Sequence, residues 1–130
     1  MQNRKVLRVV AGVVKKDGKI LLTQRYDKGD ETGLWEFPGG KVETCETDSD
    51  AICRELEEEL AIQVEVVSPL IETLHHYPDK SILLCSYECQ WISGSILLRC
   101  HQKMAWVEPE KLLDFELSAA DVPVVRMLAG

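Results

Sequence analysis

The sequence has no apolar run that reaches the roughly 18 residues needed for a membrane-spanning helix. Its opening stretch, MQNRKVLRVVAGVV, also lacks the long apolar core and the small-residue cleavage site of a secretory signal. Repeats and low-complexity segments are absent as well. We therefore expect a cytoplasmic protein with no membrane partner.

Cysteine pairs are missing too, because none of the five cysteines forms a C-x-x-C motif. An odd number of cysteines without metal-ligand spacing argues against both a disulfide framework and a zinc site. We expect reduced and mostly buried side chains that pack as small hydrophobes. The residues concerned are Cys45, Cys53, Cys85, Cys89 and Cys100.

Basic clusters are lacking in a chain of 22 acidic and 15 basic residues, whose net charge is -7. Polynucleotide binders usually carry a positive patch, so no nucleic-acid polymer is expected as a partner. The composition is that of an ordinary globular protein of 130 residues, 45% hydrophobic and 28% charged. We expect residues 1–130 to form a single domain with its own core.

The order of apolar and polar segments predicts an α/β domain. A β-hairpin opens the chain, since the valine-rich residues 5–14 and the stretch ILLTQR flank an Asp17-Gly18 turn. Further strands are predicted at 62–77, 81–91 and 103–107, a helical turn at 109–113 and a closing helix near 119–128. Without a regular βαβ repeat, this order favours a sandwich built on a mixed sheet over a doubly wound fold.

The segment between the hairpin and the first helix is rich in turn residues. Residues 26–34 form a polar loop with two glycines, and the stretch WEFPGGKVE follows at 35–43. Its Pro38-Gly39-Gly40 sequence predicts an irregular turn.

A helix is predicted from about Asp48 to Leu60. Thr47 has the residue type and the position of an N-cap. Ile52, Leu56 and Leu60 recur at i, i+4 and i+8, which gives one apolar stripe to bury against a sheet.

The same helix carries the acidic stretch RELEEEL at 54–60. Glu55, Glu58 and Glu59 share one face, where like charges cost about 0.2 to 0.5 kcal/mol per pair, and Arg54 offsets only part of this through an i+4 contact with Glu58. Two interpretations are open. The face is either simply solvated, or it gathers carboxylate oxygens for a hard divalent cation such as Mg²⁺, whose charge removes the repulsion.

The flanking sequence GGKVETCETDSDAICRELEEELAI favours the cation site. Gly40, five residues, Glu46, seven residues and then Arg54-Glu55-Leu56-x-Glu58-Glu59-x-Ala61-Ile62 closely resembles the signature of the Nudix hydrolases. Only the usual glycine is altered, to Ala61. The segments LWEFPGGKVE, YPDKSILL and AADVPVV also resemble the corresponding parts of MutT-type members, so the resemblance covers nearly the whole chain.

This resemblance implies an α/β/α sandwich around a mixed β-sheet, in a monomer or a homodimer. It implies a nucleoside triphosphate substrate that water cleaves to a nucleoside monophosphate and pyrophosphate, with Mg²⁺, or Mn²⁺ in its place, as the cofactor. By resemblance, the metal ligands are Glu55, Glu58, Glu59 and the carbonyl of Gly39. Glu55 or Glu58 also serves as the general base, and Arg54 orients the carboxylates.

The resemblance also suggests residues that bind the substrate, each with a plainer alternative. Arg25 matches an arginine that contacts phosphate, or it is a surface cation at a strand end. Tyr77 and Asp79 lie where MutT-type proteins line the base pocket, or they form an ordinary strand and turn pair. Phe37 lies beside the nucleotide or in the core. Asp121 stands where MutT-like proteins commonly carry a base-reading asparagine, or it is a helix N-cap.

One position departs from the family pattern. MutT-like proteins commonly bring a further metal-binding glutamate from six residues before a tryptophan, and counting back from Trp106 reaches Cys100. No carboxylate lies between Gly94 and Trp106, and a thiolate is a poor ligand for Mg²⁺. That role is therefore vacant or is filled by Glu46, Glu43 or water.

The histidines offer no second metal site. His75 and His76 are adjacent on one strand and point to opposite faces, which disfavours a paired zinc site. His101 is predicted to be a loop residue.

Three functions are compatible with these residues. The first is MutT-like removal of damaged nucleotides such as 8-oxo-dGTP, a contribution to DNA repair. The second is the same chemistry on CTP or a modified dCTP, since Asp121 in AADVP resembles the CTP pyrophosphohydrolase subgroup. The third is a nucleotide-binding domain without catalysis, against which the intact RELEEE sequence argues.

Overall fold

The computed structural model describes residues 5–130, so residues 1–4 of the predicted domain lie outside the described part. The strands are β1 (Lys5–Lys16), β2 (Lys19–Gln24), β3 (Trp35–Glu36), β4 (Gly39–Lys41), β5 (Ile62–His76), β6 (Lys80–Gly94) and β7 (Lys103–Val107). The α-helices are α1 (Asp48–Leu60) and α2 (Val122–Ala129), and short 3₁₀ helices span Pro109–Asp114 and Ala119–Asp121.

The strands form one mixed sheet in the order β3-β2-β1-β6-β5, with β4 paired to β1 and β7 paired to β2. β1 runs parallel to β6, whereas β1 and β2 are antiparallel. The turn of this opening hairpin has positive φ angles at Asp17 and Gly18, as the D-G signal predicts. The predicted hairpin and the mixed sheet are both confirmed.

The Pro38-Gly39-Gly40 segment is more regular than predicted. The chain bends at Pro38, but Gly39 and Gly40 belong to β4 and pair with Ala11 and Val10 of β1. A Cβ atom on Gly39 would lie 2.0 Å from the carbonyl oxygen of Val10, so only glycine allows this approach. The prediction of an irregular turn was wrong for the two glycines, because their strand partner is distant in sequence.

Helix α1 has the predicted bounds and the predicted buried stripe. The Thr47 side chain accepts a hydrogen bond from the backbone N–H of Asp50 at 3.1 Å, which caps the first turn. Ile52, Leu56 and Leu60 have no exposed surface. The helix ends with Ala61 in the left-handed conformation, where φ is 57°.

Helices cover both faces of the sheet. Side chains of β1 alternate between two hydrophobic cores, and Val10 and Val14 join α1 on one face. Ala11 and Val13 join α2 and the 3₁₀ helix Pro109–Asp114 on the other face. This arrangement confirms the predicted α/β/α sandwich. Within residues 5–130, no helix combines the length and the apolar character that crossing a bilayer requires.

The cysteines are all free, as predicted, but most of them are not buried. Cys85 and Cys89 lie in the core, while Cys45, Cys53 and Cys100 are exposed. Cys45 and Cys100 sit in loops, and Cys53 lies on the solvent side of α1. The prediction of mostly buried thiols was wrong, because local hydrophobicity does not report which positions the tertiary fold covers.

Candidate active site

The acidic face of α1 contains two carboxyl groups that meet in a partly buried environment. Glu59 is 8% exposed and shares a hydrogen bond with Glu55. Burial raises the pKa of Glu59, and the hydrogen bond and charge of Glu55 raise it further. A backbone hydrogen bond from Gly39 opposes this shift only in part. Two carboxylates brought together in this way need either a proton or a cation between them.

Arg54 contacts Glu55 of this pair and the acidic groups around it. Its Nε and Nη2 atoms donate to the two oxygens of Glu46 at 2.6 Å and 2.9 Å, a bidentate pair that lowers the Glu46 pKa to about 2. Its Nη1 atom donates to Glu55 at 2.9 Å and to Glu58 at 3.3 Å. The predicted i+4 contact between Arg54 and Glu58 is confirmed, and Arg54 reaches several carboxylates at once.

The donor set on this face fits a hard divalent cation. Within residues 5–130, the Oε1 atom of Glu59 is a buried oxygen without a hydrogen-bond partner. Such an orphan oxygen is costly unless a ligand satisfies it. In the described part of the chain, no three Asp, Glu, His or Cys side chains are already arranged to bind a metal ion. Glu55 and Glu58 instead form ion pairs with Arg54. A bound cation would compete with Arg54 for those two carboxylates, whose oxygens are the ligand type that Mg²⁺ prefers.

The glycines of β4 connect the acidic face to a cleft. A Cβ atom on Gly40 would lie 2.6 Å from the carboxyl carbon of Glu55, so the absence of a side chain opens this boundary. On the other side, Gly39 and Gly40 line a cleft of about 240 Å³. The predicted substrate residues that share this cleft are Arg25, Phe37, Tyr77 and Asp121. The fifth one, Asp79, lines a neighbouring pocket of about 300 Å³ together with Arg25 and Tyr77.

Asp121 is the most deeply buried ionisable group of the cleft, with 6% of its surface exposed. Burial raises its pKa to about 7, and the negative charge of Glu36 acts in the same direction. Its Oδ2 atom accepts a hydrogen bond from the backbone N–H of Phe37 at 3.2 Å. Asp121 occupies the N-cap position of α2, but its side chain makes no capping hydrogen bond. The alternative that Asp121 is a plain N-cap was therefore wrong.

Arg25 lies at the end of β2 and pairs with a residue that the sequence did not single out. Its Nε and Nη2 atoms each lie 2.7 Å from Oε1 of Glu36. The Arg25 side chain is still 56% exposed, so it can contact a ligand in the cleft. The side chain of Phe37 is buried, as the core alternative predicted, and still borders the cleft.

Glu36 and His101 are the site residues that sequence reasoning missed. His101 is 3% exposed, and its Nε2 atom lies 3.1 Å from Glu36 Oε2 and 3.8 Å from Glu59 Oε2. Burial alone would raise the Glu36 pKa, but the hydrogen bonds from His101 and Arg25 lower it overall. His101 does lie in a loop, as predicted. Nothing in its spacing indicated that the loop would bury it between two glutamates.

The neighbouring position is Cys100, where the resemblance led us to expect a further metal-binding glutamate in other members. Cys100 is exposed, and both glutamates considered for that role contact Arg54, Glu46 at 2.6 Å and Glu43 at 3.6 Å. The side chain that reaches the acidic face from this loop is instead His101.

Comparisons with known proteins agree with this geometry. A family model described as NUDIX domain matches residues 9–127. A CTP pyrophosphohydrolase of Escherichia coli is 38% identical over 122 residues, which cover 94% of this chain and 90% of that protein. An 8-oxo-dGTP diphosphatase of Haemophilus influenzae is 36% identical over 129 residues, which cover 97% of this chain and 93% of that protein. The solution structure of the Escherichia coli ORF135 protein superposes with a TM-score of 0.84 at 36% identity, covering 95% of this chain and 88% of that one.

Proposed function

Because the chain belongs to the NUDIX domain family, we propose that it is a Mg²⁺-dependent hydrolase that converts a nucleoside triphosphate into a nucleoside monophosphate and pyrophosphate. One observation carries the proposal. The carboxyl pair of Glu55 and Glu59 lies beside Gly39 and Gly40. These glycines line a cleft that also contains Arg25 and Asp121. A triphosphate that enters this cleft would therefore meet the carboxylates at one end and the base-binding residues at the other.

The metal ligands in this proposal are Glu55, Glu58, Glu59 and the carbonyl of Gly39. Mg²⁺, or Mn²⁺ in its place, would neutralise phosphate charge there and would make a water molecule easier to deprotonate. Arg54 donates to Glu55 and Glu58 from its Nη1 atom at 2.9 Å and 3.3 Å, so it gathers the two carboxylates that a bound cation would then take over from it.

Glu55 and Glu58 are the candidates for the general base. The Glu55 side chain is 17% exposed and borders Gly40, whereas the Glu58 side chain is 61% exposed. A base must lie within hydrogen-bond reach of the water beside the scissile phosphate. The position of Glu55 at the boundary with the cleft supports Glu55 as the residue that takes the proton.

The first candidate substrate is a damaged purine nucleotide such as 8-oxo-dGTP. Arg25 would contact the phosphates, and Tyr77, Asp79 and Phe37 would border the base. Asp121 would read the base edge, and a pKa of about 7 lets its carboxyl group either accept or donate a hydrogen bond near neutral pH. A similar protein with 36% identity is named 8-oxo-dGTP diphosphatase.

A second candidate substrate is CTP or a modified dCTP. The observation in its favour is the 38% identity to a CTP pyrophosphohydrolase over 94% of the chain. The chemistry at Glu55 and Glu58 is the same in both cases, and only the contacts around Asp121 differ. We propose that either reaction takes place on free nucleotides in the cytoplasm, in a monomer or a homodimer. Removal of 8-oxo-dGTP would contribute to DNA repair.

A nucleotide panel tests this proposal. Purified protein is incubated with Mg²⁺ and with 8-oxo-dGTP, dGTP, CTP, dCTP and 5-methyl-dCTP, and both products are quantified. We expect equal amounts of nucleoside monophosphate and pyrophosphate, and no turnover after EDTA treatment until Mg²⁺ is restored. Release of inorganic phosphate in place of pyrophosphate would contradict the proposed reaction. A ratio of kcat/KM values above about tenfold would decide between the two substrates.

A further inference from the structure

The β6–β7 loop, residues 95–102, makes hydrogen bonds to the end of α1 and to β2. The backbone N–H groups of Leu97 and Arg99 donate to the carbonyls of Leu60 and Glu59 at 2.9 Å and 3.1 Å. The guanidinium of Arg99 adds hydrogen bonds of 3.2 Å to the carbonyls of Glu57 and Glu58. These bonds satisfy the carbonyls of Glu58, Glu59 and Leu60, add to the bond that the Ala61 N–H group makes to the Glu57 carbonyl at 3.0 Å, and fix the loop against the acidic end of α1.

The other end of the loop is fixed to β2. The backbone N–H of Gln102 donates to the carbonyl of Gln24 at 2.9 Å. The Gln102 side chain donates to the carbonyl of Arg25 at 3.0 Å and to Asp27 at 2.8 Å. His101 lies between these two attachments, so its position is determined by both sides of the site.

The His101 imidazole faces two carboxylates from different elements. Its Nε2 atom is 3.1 Å from Glu36, which follows the loop after β2, and 3.8 Å from Glu59 on α1. A bare Nε2 lone pair would repel these carboxylates, so the geometry favours the Nε2–H form. Glu36 in turn holds Arg25, so His101 connects the arginine of the cleft with a carboxylate of the acidic face.

We propose that His101 is a positioning residue that holds Glu59 toward the metal site and Glu36 toward Arg25. The inference rests on the proposed hydrolase function. Through these two contacts, His101 keeps the metal-binding group and the phosphate-binding group at a fixed separation. Removing a residue that contacts a metal ligand from outside the coordination shell commonly lowers metal affinity or activity by about 10 to 100-fold.

A purely structural histidine would not explain the contacts of this side chain. The Nε2 atom lies near two carboxylates that are themselves largely buried, whereas within residues 5–130 the buried Nδ1 atom has no hydrogen-bond partner, so the polar contacts of this ring are made to the carboxylates. Loss of the Nε2–H group would remove a hydrogen bond to Glu36 at 3.1 Å and an electrostatic contact with Glu59 at 3.8 Å, although Arg25 would still contact Glu36. Within residues 5–130, Glu59 has no arginine or lysine partner, so it should be the more affected carboxylate.

Two substitutions separate the role of Nε2 from the presence of a ring. In His101→Gln the side-chain amide NH₂ group takes the place of Nε2–H, whereas in His101→Asn the shorter amide corresponds to Nδ1 and does not reach the carboxylates. The matched control is His76→Asn, because His76 is an exposed histidine that contacts Ser81 on the neighbouring strand. Thermal unfolding of each variant measures its stability separately.

The readouts are kcat, KM and the binding of Mn²⁺ to the nucleotide-free protein, measured by electron paramagnetic resonance. For His101→Asn we expect kcat and Mn²⁺ affinity to fall at least about tenfold, and His101→Gln to stay within about threefold of the wild type. The KM of His101→Asn should exceed that of the wild type. In a protein that already carries Arg25→Ala, adding His101→Asn should leave KM unchanged, because the histidine acts on KM through Glu36 and Arg25. His76→Asn should match the wild type in each measurement.

A measurement on the unmodified protein covers the case in which His101→Asn does not fold. In ¹⁵N spectra of the imidazole groups, His101 should carry its proton on Nε2, and its resonances should shift when Mg²⁺ is added while those of His76 stay in place. An Nδ1–H form, or His101 resonances that ignore Mg²⁺, would overturn the inference. Equal losses in the Gln and Asn variants, or no loss in either, would also overturn it. If the wild type cleaved no nucleotide, the proposed function would fail. The Mn²⁺ and ¹⁵N measurements would still test whether His101 positions Glu59 at the metal site.

Discussion

The buried carboxyl group of Asp121 makes the stability of the protein depend on pH in a defined direction. Its pKa is raised from 3.8 to about 7 in the folded protein, mainly by burial. The folded state therefore binds more protons than the unfolded state between these two values, and stability falls as the pH rises through this window. Asparagine at this position has nearly the same size, keeps an oxygen for the Phe37 N–H group and has no charge to bury.

The size of the effect on stability follows from the pKa shift of Asp121. The difference between 3.8 and about 7 corresponds to about 4 kcal/mol at full burial, at about 1.4 kcal/mol per pKa unit. Water penetration and local relaxation reduce this cost, so we expect Asp121→Asn to exceed the wild type in stability by about 1 to 4 kcal/mol at pH 8. At pH 4 the wild-type carboxyl group is largely protonated when folded, and the gain should nearly vanish.

The assay is urea unfolding of both proteins at intervals from pH 4 to pH 8. The matched control is Asp30→Asn, because Asp30 is exposed in the loop after β2. The control should change stability by no more than about 0.5 kcal/mol at any pH. If the difference between Asp121→Asn and the wild type stays constant from pH 4 to pH 8, the carboxyl group of Asp121 is not desolvated, and the description of the cleft is wrong.

Three further predictions concern Asp121→Asn and two other substitutions. Asp121→Asn should also shift the ratio of kcat/KM between a guanine and a cytosine triphosphate by at least about tenfold, and an unchanged ratio in an active variant would show that the base is read elsewhere. Cys100→Ser should keep Mg²⁺-dependent activity within about threefold of the parent, since the exposed thiol is a poor ligand, and a large loss in a stable protein would refute this. Ala61→Gly should stabilise the protein by about 1 kcal/mol in urea unfolding, because Ala61 ends α1 with φ at 57°, and lower stability would contradict the strain.

Local sequence signals predicted the elements whose structure depends on near neighbours. Thr47 and the spacing of Ile52, Leu56 and Leu60 determine both the start of α1 and the face that it buries. The D-G turn likewise predicts the first hairpin, because its φ angles are a local property. The acidic face of α1 was visible for the same reason, since helical spacing alone brings the glutamates together.

The missed features depend on contacts between distant parts of the chain. Glu36 and His101 are 65 residues apart, and their contact exists only because the β6–β7 loop is fixed to both α1 and β2. Gly39 and Gly40 form a strand only because β1 lies beside them. The burial of Asp121 against Phe37 spans 84 residues in the same way. No local pattern encodes such contacts, so the sequence alone could not predict them.

The central claim is that the face of α1 formed by Glu55, Glu58 and Glu59 is the catalytic centre. Its most direct test is pyrophosphate release by Glu58→Gln and Glu57→Gln, with the nucleotide that the panel identifies and with saturating Mg²⁺. The two variants remove the same charge from adjacent positions of one helix, but the Glu57 side chain lies off the acidic face. We expect Glu58→Gln to lose at least about 100-fold in kcat while folded, and Glu57→Gln to stay near the wild-type rate. Near wild-type release by a folded Glu58→Gln protein, or an equal loss in both variants, would contradict the account.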